Sequence, residues 1–197
     1  MRKKTHFRIA RLAINNTKLP YTDSEKQTLK RWAFYLGSIL PDLSVNQFIH
    51  PHYYEKSSEY VFDKLNLIVS KPVKKISDAI VLGEMVHYLC DFCCFAHIGG
   101  SIGKASEHLM YERKIHKYLL KNQQSFIDIF SFDIYSLENY SDRIIDHVKN
   151  QLSNYRMMEP SYAWDIINTI LITSNIYCEM LSDKAFAFYN SDIRQLN

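Results

Sequence analysis

Glycine and proline are scarce in this chain, with five of each among 197 residues. A many-stranded β protein needs tight turns between its strands, and those turns draw heavily on these two residue types. Hydrophobic residues make up 47% of the sequence and aromatic residues 14%, which is enough to fill the core of one domain of this length. The composition therefore favours a helical domain over a sheet protein.

Long uninterrupted apolar stretches are also missing. A transmembrane helix needs about 18 consecutive apolar residues, and no segment offers them. The first residues, MRKKTHFRIARLAINN, have a basic head, but Arg8 and Arg11 interrupt the apolar region that a signal peptide requires. We therefore expect a cytoplasmic protein without a transmembrane segment.

Cysteine is limited to four residues: Cys90, Cys93, Cys94 and Cys178. Cys90 and Cys93 form a C-x-x-C pair, but no second pair accompanies it and no βαβ pattern surrounds it. The pattern argues against a zinc ribbon and against a thioredoxin-like redox site. We expect reduced thiols that pack in the core.

Apolar residues recur at helical spacing almost throughout the chain. The first predicted helix covers residues 5–16, and the second runs from a capping box at Thr22 and Glu25 to Gly37. The third is capped by Ser57 or Ser58 and stops before Pro72. The other predicted helices cover residues 75–96, 104–122, 136–157 and 160–189. The predicted fold is one all-α domain over residues 1–197, a multi-helix bundle with a metal cleft between helices. The metal site would lie within residues 1–120, and helices within 136–190 would close the bundle.

Five potential metal ligands lie in the middle of the chain: His87, Asp91, His97, His108 and Glu112. His87 and Asp91 are four residues apart, as are His108 and Glu112, and one turn of a helix places such pairs on the same face. Imidazole nitrogen and carboxylate oxygen suit zinc in a hydrolytic site, where one coordination position stays open for water. The pattern predicts two ligand-bearing helices that face each other across a metal site.

Either pair alone has a simpler interpretation. Because 21 of the 197 residues are carboxylates, a given histidine has roughly a one-in-ten chance of a carboxylate four positions later. An isolated pair would then be an ordinary side-chain hydrogen bond on a solvated helix face. The conjunction of both pairs, with seven of the eight histidines within the first 116 residues, favours the metal site.

Further candidate ligands lie upstream. His6 is near the start, Asp42 follows Pro41 in a G-x-x-x-P-D segment, and His52 begins an H-Y-Y segment two residues after His50. His50 competes with His52 for the same role. Asp42 is a metal ligand, a general base or an ordinary turn aspartate, since Pro-Asp is common where a new segment begins.

Together these residues resemble the zinc-dependent phospholipase C family, which shares its all-α fold with the single-strand-specific zinc nucleases. The resemblance covers roughly residues 1–120 and depends on the H-x3-D-x5-H-x10-H-x3-E run, with the upstream G-x-x-x-P-D and H-Y-Y segments. Members of that family bind three zinc ions in a cleft and cleave phosphodiesters on the glycerol side of the phosphate.

The resemblance implies a role for each matching residue. It assigns two sets of three zinc ligands, namely His52, His87 and Asp91 for one ion, and His97, His108 and Glu112 for a second. A third ion would be bound by His6 and by Asp91, which would bridge two ions. Asp42 would stand beside the metals as a ligand or general base. His52 is preferred to His50 because H-Y-Y resembles the His-aromatic-aromatic segment of the family.

The N-terminus departs from the family. Processing of secreted members exposes a terminal tryptophan whose backbone amine and carbonyl complete the third zinc site. Here Met1 lies five residues before His6, and no tryptophan is near. We therefore expect two or three zinc ions. The third site is the one affected by the lack of a terminal tryptophan.

The expected activity is metal-dependent hydrolysis of a phosphodiester, in which zinc activates water and neutralises charge on the phosphate. The substrate would be a phospholipid headgroup or another phosphoester, with the aromatic residues Tyr53, Tyr54, Tyr88 and Phe92 either lining its pocket or belonging to the core. Two alternatives stay open. The same fold could act on a soluble phosphoester or on single-stranded nucleic acid, and the mild net charge of +3 argues neither for a nucleic-acid footprint nor against an anionic substrate. The protein could also bind metal without catalysis.

Overall fold

The computed structural model describes residues 1–16, 25–44, 46–69, 73, 75–99, 104–129 and 144–194. Every regular element in these ranges is helical, and no strand occurs in them. The helices are α1 (Lys3–Asn16), α2 (Glu25–Gly37), α3 (Asn46–Ile49), α4 (Tyr54–Val69), α5 (Ile76–Phe92), α6 (Ala105–Lys121), α7 (Gln123–Ile129), α8 (Ile144–Met157) and α9 (Tyr162–Arg194). Two short 3₁₀ turns occupy Pro41–Leu43 and Phe95–His97. The all-α fold predicted from the sequence is confirmed.

Helix α5 is the centre of the bundle. It packs against α2, α4 and α9, so that its residues from Met85 to Phe92 are all buried. A helix that is apolar around most of its circumference is stable only when other elements surround it. His87 and Asp91 lie within this stretch, and neither is exposed to solvent. The part of α5 that carries these two candidate ligands is therefore held inside the core.

The backbones of α2 and α5 are in contact at Gly37 and Gly83. A Cβ atom added to Gly83 would overlap the carbonyl oxygen of Phe34, because the two backbones are in direct contact there. The close contact places Ser38, next to Gly37, beside His87, which is one turn beyond Gly83. The two glycines thus set the distance between α5 and the segment that follows α2.

Helix α1 packs against the long helix α9, and also contacts α2 and α6. Its apolar stripe includes Ile9, Ala10 and Ala13, all of them buried. His6 lies one turn earlier and is also buried, at 2% exposure. The packing of α1 therefore directs His6 into the protein rather than towards solvent.

The start of α4 differs from the predicted one. Ser57 or Ser58 was expected to cap this helix, but the helix begins at Tyr54. Ser57 lies inside the first turns, where its hydroxyl donates a hydrogen bond to the carbonyl oxygen of Pro51 at 2.6 Å. A serine that bonds to a preceding carbonyl group is part of the helix rather than its N-cap.

Other helix ends shift by smaller amounts. Helix α5 ends at Phe92 instead of continuing to residue 96, because residues 95–97 form a 3₁₀ turn, and the last helix continues to Arg194. The short helices α3 and α7 were not predicted. The capping position Thr22 and residues 136–143 of the predicted sixth helix lie outside the described residues.

The expectation for the cysteines agrees with the structure. All four cysteines are buried thiols, and none forms a disulfide. Within the described ranges, no helix combines the length and the apolar character that a bilayer crossing requires.

The contact between α2 and α5 gives a first prediction. Gly83→Ala should lower the free energy of unfolding by about 1–3 kcal/mol, because the new methyl group forces two packed backbones apart. Urea unfolding monitored by circular dichroism would measure the loss. Gly99→Ala is the control, since a Cβ there meets only the Glu55 side chain at 3.4 Å. Equal stability of both variants would contradict the importance of the crossing.

Candidate metal centre

The eight candidate ligands identified in the sequence converge at one place inside the bundle. They come from six parts of the chain: His6 from α1, Asp42 from the first 3₁₀ turn, His52 from the segment before α4, His87 and Asp91 from α5, His97 from the second 3₁₀ turn, and His108 and Glu112 from α6. Their nitrogen and oxygen atoms form three groups, and in each group all ligand atoms lie within 4.8 Å of one another.

Asp42, His52 and His87 form the first group. Oδ1 of Asp42 lies 3.8 Å from Nδ1 of His52 and 3.6 Å from Nε2 of His87. The two histidine nitrogens are 3.4 Å apart. Two ligand atoms bound tetrahedrally to one zinc ion, at about 2.1 Å each, would be separated by about 3.4 Å. The spacing of this group is therefore that of atoms around a single ion.

His97, His108 and Glu112 form the second group. Oε1 of Glu112 lies 3.2 Å from Nε2 of His97 and 3.1 Å from Nε2 of His108. His108 and Glu112 are one turn apart on the inner side of α6, as their spacing predicted. The 3₁₀ turn between α5 and α6 adds His97 from the other side.

Asp91 lies between all the groups. Its Oδ1 is 3.2 Å from Nε2 of His6 and 3.5 Å from Nε2 of His97. Its Oδ2 is 2.9 Å from Nδ1 of His52 and 3.3 Å from Nε2 of His87. His6, His87 and Asp91 make up the third group. One carboxylate thus faces different histidines with each of its oxygens.

Backbone carbonyl groups orient two of the rings. Nδ1 of His87 donates to the carbonyl oxygen of Ser38 at 2.9 Å, and Nδ1 of His97 donates to the carbonyl oxygen of His52 at 3.0 Å. Because a carbonyl oxygen can only accept, each Nδ1 carries the proton. Nε2 of each ring is then left with a lone pair that points into the cluster, which is the arrangement of metal-binding histidines.

The donor set fits a divalent metal ion. Nε2 of His6 and Oδ2 of Asp91 are buried, yet neither has a hydrogen-bond partner of good geometry among the described residues. Buried polar atoms are normally paired, and a metal ion accepts lone pairs from both atom types. Imidazole nitrogens and carboxylate oxygens are the ligands that zinc takes in catalytic sites.

The charge states of His6, His97 and Asp91 also suit metal binding. Burial lowers the pKa of His6 to about 3 and that of His97 to about 4, so both rings are neutral at pH 7. Burial alone would raise the pKa of Asp91, but the positive charges that His97, the Met1 amino group and His6 carry at low pH hold it well below its usual value. Neutral imidazoles and an ionised carboxylate are the forms that bind metal.

A backbone group that side-chain motifs could not reveal also lies in the cluster. The α-amino nitrogen of Met1 contacts Oδ1 of Asp91, and it lies 2.8 Å from Nε2 of His97 and 3.4 Å from Oε1 of Glu112. Burial lowers the pKa of this amine, but the nearby carboxylates, Asp91 above all, outweigh burial and raise it to about 11. The sequence indicated only that this end of the chain is close to His6.

Comparison with known families decides the assignment. A family model described as zinc-dependent phospholipase C matches residues 5–162, a span that contains all eight candidate ligands. The chain belongs to the zinc-dependent phospholipase C family. No curated protein and no solved structure gave a significant match.

The cluster of this phospholipase C family member contains His52 and excludes His50. The His50 ring stacks on Tyr60, with ring centroids 3.6 Å apart and planes inclined by 8°. The carbonyl oxygen of His50 accepts a hydrogen bond from the Tyr88 hydroxyl at 3.2 Å. His50 therefore has its own packing role two residues before the histidine that joins the first group.

The aromatic residues considered for a substrate pocket divide between two locations. Phe92 is buried in the core, with Tyr54 packed edge-on against it. Tyr88 is also buried but borders the cluster, with its ring centroid 5.0 Å from that of His52. Tyr53 is half-buried, with its ring centroid 5.8 Å from that of His97. Tyr53 and Tyr88 thus adjoin the candidate ligands.

Asp165 supports the turn that carries His97, and sequence patterns gave no sign of this role. This buried residue of α9 accepts hydrogen bonds from the hydroxyl groups of Tyr155 at 2.7 Å and Tyr111 at 2.9 Å. It also accepts one from the backbone N–H of Phe95 at 3.2 Å, two residues before His97. Burial raises the pKa of Asp165 to about 6. One carboxylate therefore ties α6, α8 and α9 to the second 3₁₀ turn.

This network gives a second prediction. Asp165→Ala should lower the free energy of unfolding by about 3–5 kcal/mol, because two tyrosine hydroxyls and one backbone N–H lose their buried partner. Urea denaturation of the metal-loaded protein would measure it. The control Asp146→Ala removes an exposed aspartate of α8 and should change stability by less than about 0.5 kcal/mol. A loss of similar size in both variants would contradict the role assigned to Asp165.

Proposed function

We propose that this protein is a zinc-dependent hydrolase that cleaves the phosphodiester linking a phospholipid headgroup to the rest of the lipid, in the manner of a phospholipase C. The observation that best supports the proposal is the position of Asp91, whose two oxygens face different histidines as a bridging ligand would. Membership of the zinc-dependent phospholipase C family supports the metal and the reaction class.

The proposed ligand sets are those that the family resemblance assigns, and one of them coincides with a group of atoms while the other two overlap with the remaining groups. His52, His87 and Asp91 would hold one ion, with Asp42 beside them. The second ion would be held by a set from the 3₁₀ turn and α6: His97, His108 and Glu112. His6 and Asp91 would bind a third ion, so that the complete centre holds two or three.

The protein's own residues would fix the geometry of the reaction. Bound zinc supplies Lewis-acid catalysis and lowers the pKa of water to about 7. The carbonyl groups of Ser38 and His52 hold the His87 and His97 rings, and the core packing of α5 keeps Asp91 away from bulk water. A pre-oriented set of ligands requires little reorganisation when the phosphoester is attacked.

Asp42 is the proposed general base. Its side chain is 21% exposed, whereas that of Asp91 in the same region is 0% exposed, so solvent and substrate can reach Asp42. Pro41 begins the 3₁₀ turn that presents it, and the fixed φ of proline stiffens this turn. The nearby nitrogens of His52 and His87 also permit Asp42 to act as a metal ligand.

Metal content tests the ligand assignment, which is the third prediction. The purified protein should contain two or three zinc ions, and His87→Ala or His108→Ala should lose zinc and activity together, because each removes a proposed ligand. Plasma mass spectrometry would count the metal. His50→Ala is the matched control and should keep its zinc, because His50 lies outside the cluster. Full zinc content in both ligand variants would refute the assignment.

The fourth prediction separates the two roles of Asp42. Asp42→Asn keeps the shape of the side chain but removes the base, and general-base assistance is typically worth about 10²–10⁴ in rate. The variant should keep its zinc and its thermal stability while kcat falls by about a hundredfold or more. Asp146→Asn serves as the control for the loss of one carboxylate. Loss of zinc from Asp42→Asn would make Asp42 primarily a ligand, and normal turnover would make it structural.

A hydrolysis screen tests the proposed reaction. The zinc-loaded protein would be assayed with p-nitrophenyl phosphorylcholine, bis-p-nitrophenyl phosphate and single-stranded nucleic acid, with and without a chelator. Turnover of the choline ester without turnover of nucleic acid is expected. Turnover of nucleic acid alone would assign a nuclease activity instead. Absence of turnover by protein that retains its zinc would indicate metal binding without catalysis.

A further inference from the structure

A groove separate from the metal centre lies between α1, α6 and α7. Its volume is about 660 Å³, which is within the range of small-molecule sites. Four cationic side chains of α1 line it: Lys3, Lys4, Arg8 and Arg11. Apolar side chains, among them Phe7, Leu12 and Ile127, complete the lining. The groove therefore combines a cationic rim with an apolar part.

Within the described ranges, these cations have no carboxylate partner. Helix α1 contains no acidic residue, and the first acidic residue of the chain is Asp23. No carboxylate in the described part of the chain forms an ion pair with any of the four cationic residues. Burial lowers the pKa of His116, and the charges of Arg8, Arg2 and Lys4 lower it further. The positive charge of α1 thus acts across the groove on α6.

The groove is close to the metal centre but distinct from it. None of the eight candidate ligands lines it. His116, which does, follows Glu112 by four residues on α6, a rise of about 6 Å. The buried Thr5, next to His6, places its hydroxyl 3.0 Å from Nδ1 of His116. Helices α1 and α6 therefore contribute to both places with different residues.

We propose that the groove binds one anionic phospholipid molecule, with the phosphate on the cations of α1 and the start of an acyl chain on the apolar side chains. A free anion would use the cations alone. A polynucleotide would favour aromatic stacking surfaces, whereas the apolar part here is mainly aliphatic. Charge beside aliphatic surface matches an amphiphile. The inference goes beyond the proposed hydrolysis, because lipid binding in the groove needs no turnover.

Co-sedimentation of the zinc-loaded protein with lipid vesicles tests the proposal. The protein should bind phosphatidylglycerol vesicles more tightly than phosphatidylcholine vesicles, and the preference should weaken as salt is raised. Arg8→Gln/Arg11→Gln should bind phosphatidylglycerol vesicles roughly 30-fold more weakly, since each basic residue near an anionic lipid surface contributes about fivefold. Arg8→Lys/Arg11→Lys keeps the charge and should keep most of the binding.

Lys114→Gln/Lys121→Gln is the matched control, because it removes two exposed charges of α6 that do not line the groove. It should bind vesicles like the unaltered protein. The proposal would be overturned if the arginine-to-glutamine and lysine-to-glutamine double variants lost vesicle binding equally, or if the unaltered protein bound the two vesicle types equally. Tighter binding to a single-stranded oligonucleotide than to vesicles, with the same dependence on Arg8 and Arg11, would also overturn it. Thermal melting verifies that each variant is folded.

Discussion

The burial of the Asp91 carboxylate is the constraint on which the site depends. An ionised carboxylate inside a protein is costly unless both oxygens have close partners. Here four histidine nitrogens and the α-amino nitrogen of Met1 surround it. Because its two oxygens face different histidines, any displacement of Asp91 would alter all three groups of candidate ligands together. The cluster is therefore one electrostatic unit, and its parts cannot be understood as separate sites.

The bundle holds that unit through residues that are not candidate ligands. The contact between Gly37 and Gly83 lets α2 and α5 approach closely, and this approach brings the carbonyl group of Ser38 to His87. On the other side, Asp165 of α9 binds the backbone of the turn that presents His97. Helices α2 and α9 carry no candidate ligand, yet each helps to position a histidine ring of the cluster.

Helix α1 has different roles on different sides. Its buried side brings His6 to Asp91, and its exposed side carries cations that pair with no carboxylate of the described residues, beside a groove that is partly aliphatic. The proposed phosphoester chemistry and the proposed binding of anionic lipid would share α1 and α6 without sharing residues. Such an arrangement would hold a lipid surface within a few helical turns of the metal centre.

Local patterns were enough to predict the helical fold and the one-turn pairing of candidate ligands, since the 3.6-residue period and the spacing of His87 with Asp91 are properties of a single helix. The H-x3-D-x5-H-x10-H-x3-E run also identified the family correctly. The H-Y-Y segment favoured His52 over His50 only by resemblance, because both lie in an irregular segment whose path depends on distant neighbours. The fold places His52 in the cluster and stacks His50 on Tyr60. Local patterns also gave no sign of Asp165, which contacts Phe95 across 70 positions of sequence. Those features were decided by how the helices cross, and each crossing depends on the volumes of side chains that are far apart along the chain.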